Sequence, residues 1–155
     1  MSQISHPLSQ EEFDLIYSKV PRLTVDIVIK NEDNDIFLSK RSIDYGITAA
    51  CKGFWHLPGG TVRFGEQIED AVRRIIKREL GVTINKMTPK GYIEYPSHYK
   101  HGMDSPVALV FEVTEYSGDI SHNEEAAEFG WFSKMPLNMH ADQDVFLVQK
   151  GYLSA

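Results

Sequence analysis

The fold turns on residues 57–82, LPGGTVRFGEQIEDAVRRIIKRELGV. Pro58-Gly59-Gly60 cannot continue a strand and is free to turn sharply. Gly65-Glu66 leads into some thirteen helix-compatible residues, and Gly81 follows them as a helix stop. The stretch reads as a strand end, a glycine turn, a loop and one helix.

On a helical projection of about 100° per residue, Ile68, Ala71, Val72, Ile75 and Ile76 fall on one side. Asp70, Arg73, Arg74 and Lys77 fall on the other. Glu79 breaks the pattern. It lies near the centre of the apolar side, in the last turn, where the helix dipole disfavours an anion. A carboxylate there needs a compensating cation. It is either solvated or salt-bridged, or it is a metal ligand. The glycine turn favours the metal, because a bent backbone can aim a carbonyl at the same ion.

A chain of 155 residues is expected to form one domain, 1–155, large enough to bury a core. Hydrophobic residues make up 42% and charged residues 25%, ordinary for a soluble globular protein. The formal charge of -6 and a pI near 5.5 argue against a nucleic-acid polymer as partner. A nucleotide is still compatible, since a metal and a few Arg can handle its phosphates. Cys51 is the single cysteine, so no internal disulfide can form. It reads as structural. No apolar run reaches transmembrane length and residues 1–10 do not resemble a signal peptide, so a cytoplasmic protein with no membrane partner is expected. Self-association as a homodimer stays open.

Along the chain, Ser9-x-x-Glu12 is a capping-box signature for a short helix with Phe13, Ile16, Tyr17 and Val20 as its stripe, ended by Pro21. Thr24 to Ile29 reads as a buried strand. Asp26 interrupts its apolar run, either as a satisfied polar residue at a strand end or as a substrate-binding group. Residues 31–35 form a turn, and Ile36-Phe37-Leu38 is expected to pair back as a hairpin closed by Lys40-Arg41. Val82–Ile84 and Gly91–Tyr95 read as short strands broken by Pro89 and Pro96. His98 to Asp104 is a polar, aromatic loop, either a pocket lining or a hairpin tip. Val107–Val113 is a strong strand. His122 to Glu128 is an acidic loop before a Phe129–Phe132 strand. Ser133 and Pro136 open a helical end, and Asp142 is the expected cap of a last helix, Gln143 to Lys150. Mixed strands with a central and a terminal helix give an α/β sandwich.

These residues also carry a resemblance. Gly60, Glu66, Arg74, Glu79, Gly81 and Val82 match the Nudix box, G-x5-E-x7-R-E-U-x-E-E-x-G-U, where U is a bulky aliphatic. Two acidic positions differ: Ile75 and Arg78 replace glutamates. This altered box is similar to that of the GDP-mannose mannosyl hydrolase branch of the Nudix superfamily. So are the short first helix, Asp26 on its strand, Leu38-Ser39-Lys40-Arg41, and the aromatic pair before Pro58-Gly59-Gly60.

The resemblance implies a Nudix-type α/β/α sandwich with a mixed sheet and the box as loop-helix-loop. It implies hydrolysis of a nucleoside diphosphate linked to another moiety, such as the nucleotide sugar GDP-mannose, with Mg²⁺ or Mn²⁺. Glu79 and the Gly59 carbonyl become metal ligands, Glu66 pairs with Arg74, and Arg41 matches a phosphate-side arginine. The acidic loop would supply the rest. Glu125 stands where the branch has a metal-binding Gln, and Ala126 where it has the His base for attack at the sugar carbon. His122 could replace that base. Alternatively Glu124, Glu125 or Glu128 could support attack at phosphorus. A second reading is a catalytically weak Nudix-like nucleotide-binding or regulatory domain, favoured by Ile75, Arg78 and Ala126 and opposed by Glu79 and Glu125.

Overall fold

The computed structural model describes residues 7–41, 53–121 and 126–155, excepting the side chains of 41, 126 and 127. Its elements run α1 (Gln10–Tyr17), β1 (Arg22–Ile29), β2 (Ile36–Arg41), β3 (Trp55–His56), β4 (Gly59–Thr61), α2 (Ile68–Leu80), β5 (Thr83–Glu94), α3 (Pro96–Lys100), β6 (Pro106–Ser117), β7 (Ala126–Phe132) and α4 (Ala141–Gln149). One sheet has the order β4-β1-β6-β5 and is mixed, with β1 and β6 parallel and the other pairs antiparallel. A second, antiparallel sheet runs β3-β2-β7.

β1 is central, and its alternation sets the layers. Val25, Ile27 and Ile29 pack with Val72, Ile75, Ile76 and Leu80 of α2. Val28 faces the opposite core, with Tyr95, Leu147 and Tyr152. Asp26 shares that second face by register, which directs it away from α2. The apolar stripe of α2 is buried as the periodicity requires. Each such Ile or Leu contributes roughly 1.5–3 kcal/mol, which outweighs a polar or charged residue placed at the helix rim. Gly81 ends the helix in the left-handed region (φ 74°), its N–H donating to the Lys77 carbonyl. α1 keeps its capping box but buries no residue. Among the described residues no helix is long and apolar enough to cross a membrane.

Several expectations are corrected. Gly59 and Gly60 do not turn: they continue as β4, opposite Asp26 and Val25. Their glycine requirement is spatial, because a Cβ on Gly59 would lie 2.5 Å from both Asp26 Oδ1 and the Val25 carbonyl. β1 and β2 are joined by a turn capped by Asn31, whose side chain accepts from the N–H groups of Asp33 and Asp35. They are not a hairpin. A Lys30–Ile36 bridge and a 3.0 Å bond from the Asn31 N–H to the Asp35 carbonyl close the turn, and β2 belongs to the other sheet. β5 runs unbroken through Pro89 because it is an edge strand with a register shift between Pro89 and Gly91, so the missing N–H costs no ladder bond. Residues 96–100 form a short helix rather than a hairpin tip. Residues 133–140 are turns and bridges without a helical start. The cap of α4 is His140, whose Nδ1 accepts from the Asp142 N–H, and the helix closes at Gln149. Glu128 lies within β7 beside Lys40, outside any loop.

Candidate active site

The glycine strand β4 lies between α2 and a polar pocket. Gly60 faces α2, where a Cβ would sit 3.0 Å from Ile75 Cδ1. Gly59 faces the pocket through Asp26. The loop from β4 into α2 is held by one ion pair. Arg74 donates from Nε to Glu66 Oε2 at 2.8 Å and from Nη2 to Glu66 Oε1 at 3.0 Å, and Nη2 also reaches the Thr61 carbonyl at 2.8 Å. The Arg63 N–H adds a bond of 3.0 Å to Glu66. The Arg74 bonds hold the Glu66 carboxyl below its ordinary range. This is the pairing that the resemblance implied. It makes Glu66 and Arg74 a brace between β4 and α2.

Glu79 stands one turn beyond Ile75 on the same face. Its side chain is 15% exposed, and an Arg78 guanidinium nitrogen lies 3.4 Å from its carboxylate. The anion at the helix end is thus compensated by a neighbour. Gly59 is a backbone position bare of Cβ on its Asp26 side. The carboxylate of Glu79 is the hard-oxygen donor type that Mg²⁺ takes alongside several waters. Among the described residues no group of three or more His, Cys, Asp and Glu gathers to hold a metal. Glu124, Glu125 and His122 lie outside the described residues, as does Cys51. Arg41 ends β2 opposite Ala126, with its side chain outside the description.

The pocket beside Gly59 is lined by Arg22, Asp26, His56, Tyr95, His98, His140 and Gln143, among others. Asp26 is mid-strand, not at a strand end, and is buried. Burial lifts its pKa from 3.8 to about 6, against the lowering effects of the Tyr95 hydrogen bond and of His140, Arg22 and His98. Tyr95 Oη donates to Asp26 Oδ2 and accepts from Gln143 Nε2 at 2.9 Å. Gln143 Oε1 accepts from the Leu57 N–H at 2.8 Å. His98 approaches His140 Nε2 to Nε2 at 3.4 Å and Asp104 Oδ1 at 3.1 Å. Asp104 also pairs with Arg22, which reaches Thr61 Oγ1 at 2.8 Å.

Most of this pocket was not read from the sequence. His98 and Asp104 belong to the polar aromatic segment, but their spacing alone names no partner. Arg22, Tyr95, His140 and Gln143 carry no sequence signal of their own. They meet because β1 is central, so that residues from its start, from the end of β5 and from α4 converge on one face.

The family description NUDIX domain matches residues 20–149. The low-salt glycan biosynthesis protein Agl8 of Haloferax volcanii is 33% identical over 111 residues, 69% of this chain and 67% of that protein. The nucleoside triphosphatase NudI of Escherichia fergusonii is 33% identical over 123 residues, 75% of this chain and 84% of that protein. A MutT NUDIX hydrolase structure from Burkholderia pseudomallei superposes with a TM-score of 0.73 at 27% identity, covering 84% of this chain and 98% of that one.

Proposed function

Since the chain belongs to the Nudix family of hydrolases, we propose that it cleaves a nucleoside diphosphate derivative with a divalent metal, Mg²⁺ or Mn²⁺, and that water attacks at phosphorus. The observation that carries this reading is the position of β4. Its glycines pack on α2, which bears Glu79, on one side and on Asp26 of the pocket on the other. A diphosphate crossing the outer edge of β4 would have a carboxylate-bearing helix on one side and a polar pocket on the other.

In this reading Glu79 and the Gly59 carbonyl hold the metal, with Glu125 from the acidic segment as a third ligand. When bound, the metal supplies charge neutralisation for the diphosphate and orients its leaving group. The chain's own residues do the rest. Glu66 and Arg74 fix β4 against α2, so that the ligand backbone and Glu79 keep their relative positions. Arg41 and Arg22 offer cations to phosphate oxygens. Asp26, held by Tyr95, orients the moiety beyond the diphosphate. Glu124 or Glu125 positions the attacking water.

Ala126 supports attack at phosphorus, because it has no imidazole to assist attack at a sugar carbon. His122 is the one residue whose proximity in sequence favours the other route. One relative is a nucleoside triphosphatase, so triphosphates belong in the test. The experiment is a panel of nucleoside diphosphate sugars including GDP-mannose, ADP-ribose and nucleoside triphosphates, with Mg²⁺, in ¹⁸O-labelled water. Label in the phosphate products supports the reading. Label in a free sugar with unlabelled nucleoside diphosphate contradicts it and points to His122.

A further inference from the structure

Two hydrogen-bond chains leave α4, and their directions are fixed by groups that can only donate or only accept. A backbone N–H only donates. The atom of Gln143 facing the Leu57 N–H at 2.8 Å is therefore its oxygen. The amide nitrogen then faces Tyr95 Oη at 2.9 Å and donates to it. The Tyr95 hydroxyl proton is left for Asp26 Oδ2. The first chain runs from Leu57 through Gln143 and Tyr95 and ends on Asp26.

The second starts at the Asp142 N–H, which donates to His140 Nδ1 at 3.2 Å. That nitrogen carries no proton, so neutral His140 is protonated at Nε2. Nε2 faces His98 Nε2 at 3.4 Å and donates. His98 then holds its proton on Nδ1 and gives it to Asp104 Oδ1 at 3.1 Å. Asp104 pairs with Arg22, a pocket residue. Two imidazole Nε2 atoms this close also suit a tetrahedral transition-metal ion. The helix cap decides against it. A metal needs a lone pair on His140 Nε2, hence a proton on Nδ1, where it would meet the Asp142 N–H.

We propose that α4 is the positioning element of the site, with Gln143 and His140 as its positioning residues. This rests on the reading that the pocket takes part of the substrate. Gln143 sets two things at once: the Leu57 end of the segment leading into Gly59, and the hydroxyl that orients Asp26. His140 ties the start of α4 to α3 and, through His98 and Asp104, sets the direction of Arg22. Both residues are buried, and neither need touch the reacting atoms.

The polarity of the first chain gives a sharp test. Gln143→Glu keeps the size and the acceptor for Leu57, but it has no N–H for Tyr95. When that glutamate is ionised, the single Tyr95 hydroxyl proton faces two competing carboxylates and no longer goes to Asp26 alone. The thermal midpoint, kcat and KM of this variant are measured on the best substrate of the panel, together with Gln143→Met, which loses both bonds. The histidine tautomers of the wild-type protein are read by long-range ¹H–¹⁵N NMR. The expected result for Gln143→Glu is a folded protein with KM raised roughly tenfold and kcat little changed. Gln143→Met should lose kcat as well, because the segment before Gly59 is also released. The spectra should show His98 protonated at Nδ1 and His140 at Nε2. A lowered midpoint with unchanged KM and kcat in both variants would make Gln143 merely structural and overturn the proposal. So would His140 protonated at Nδ1, or Zn²⁺ shifting both Nε2 resonances. If the wild type hydrolyses nothing on the panel, the functional reading fails and takes this proposal with it. The opposite tautomers sink this proposal alone.

Discussion

Gly59 lies so close to Asp26 that a Cβ on the glycine would come within 2.5 Å of the Asp26 carboxylate oxygen and equally near the Val25 carbonyl. Gly60 is less confined: its Cβ would meet only side-chain atoms of Ile75, Cδ1 at 3.0 Å and Cγ1 at 3.3 Å, and no backbone. Gly59→Ala must displace backbone and should destabilise by about 1–3 kcal/mol, the usual cost of overpacking. Gly60→Ala should cost less. Chemical denaturation of both variants checks the order, and a Gly59→Ala as stable as Gly60→Ala would remove the close approach from the account.

Asp26 makes the stability of the protein depend on pH. Its pKa is raised from 3.8 to about 6, mainly by burial. Between those values the folded state keeps a proton that the unfolded state has released, so stability falls as pH rises toward and through 6. Two pK units correspond to at most about 3 kcal/mol near neutral pH. Asp26→Asn can still accept from Tyr95 and carries no charge. In metal-free protein it should be more stable than wild type near neutral pH, lose the slope between about 4 and 6, and weaken substrate binding. Denaturation across a pH series reads the first two outcomes and KM the third. A variant no more stable than wild type at neutral pH contradicts the buried-carboxylate reading.

The Glu66–Arg74 brace runs the other way with pH. Arg74 lowers the Glu66 pKa below 4.5, so its contribution is present above that value and is lost as pH falls through the lower folded one. The Glu66 side chain is 1% exposed. Arg74→Ala leaves a buried charge unpaired and should cost about 3–5 kcal/mol. Arg74→Lys should lose part of that, because an ammonium cannot span both Glu66 oxygens and the Thr61 carbonyl. Denaturation midpoints test the order Ala, Lys, wild type. A Lys variant equal to wild type would show that the fork geometry is dispensable.

The box helix was legible in the sequence because its information is local. The apolar spacing of Ala71, Val72, Ile75 and Ile76 and the stop at Gly81 need no knowledge of the rest of the chain, while the pairing of Glu66 with Arg74 came from the resemblance to the Nudix box. The role of Gly59 and Gly60 is not legible locally, for a physical reason. Glycine serves a turn or a close approach equally well, and only the position of Asp26 across the sheet distinguishes them. Pro89 misled in the same way, since a proline breaks a central strand but sits unharmed in an edge strand. The pocket was almost invisible. Gln143 meets Tyr95 and Leu57, and His140 meets His98, only after α4 packs against β5 and α3.

The central claim is that Glu79 holds the catalytic metal. Glu79→Gln keeps the shape at a partly buried position and removes the charge, so the thermal midpoint should stay within a few degrees of wild type. The direct measurement is kcat of this variant with Mg²⁺ on the best substrate of the panel, alongside its midpoint. The account predicts a folded protein whose metal-dependent turnover falls by about three orders of magnitude or more. A folded Glu79→Gln with wild-type kcat would contradict it and remove Glu79 as a ligand.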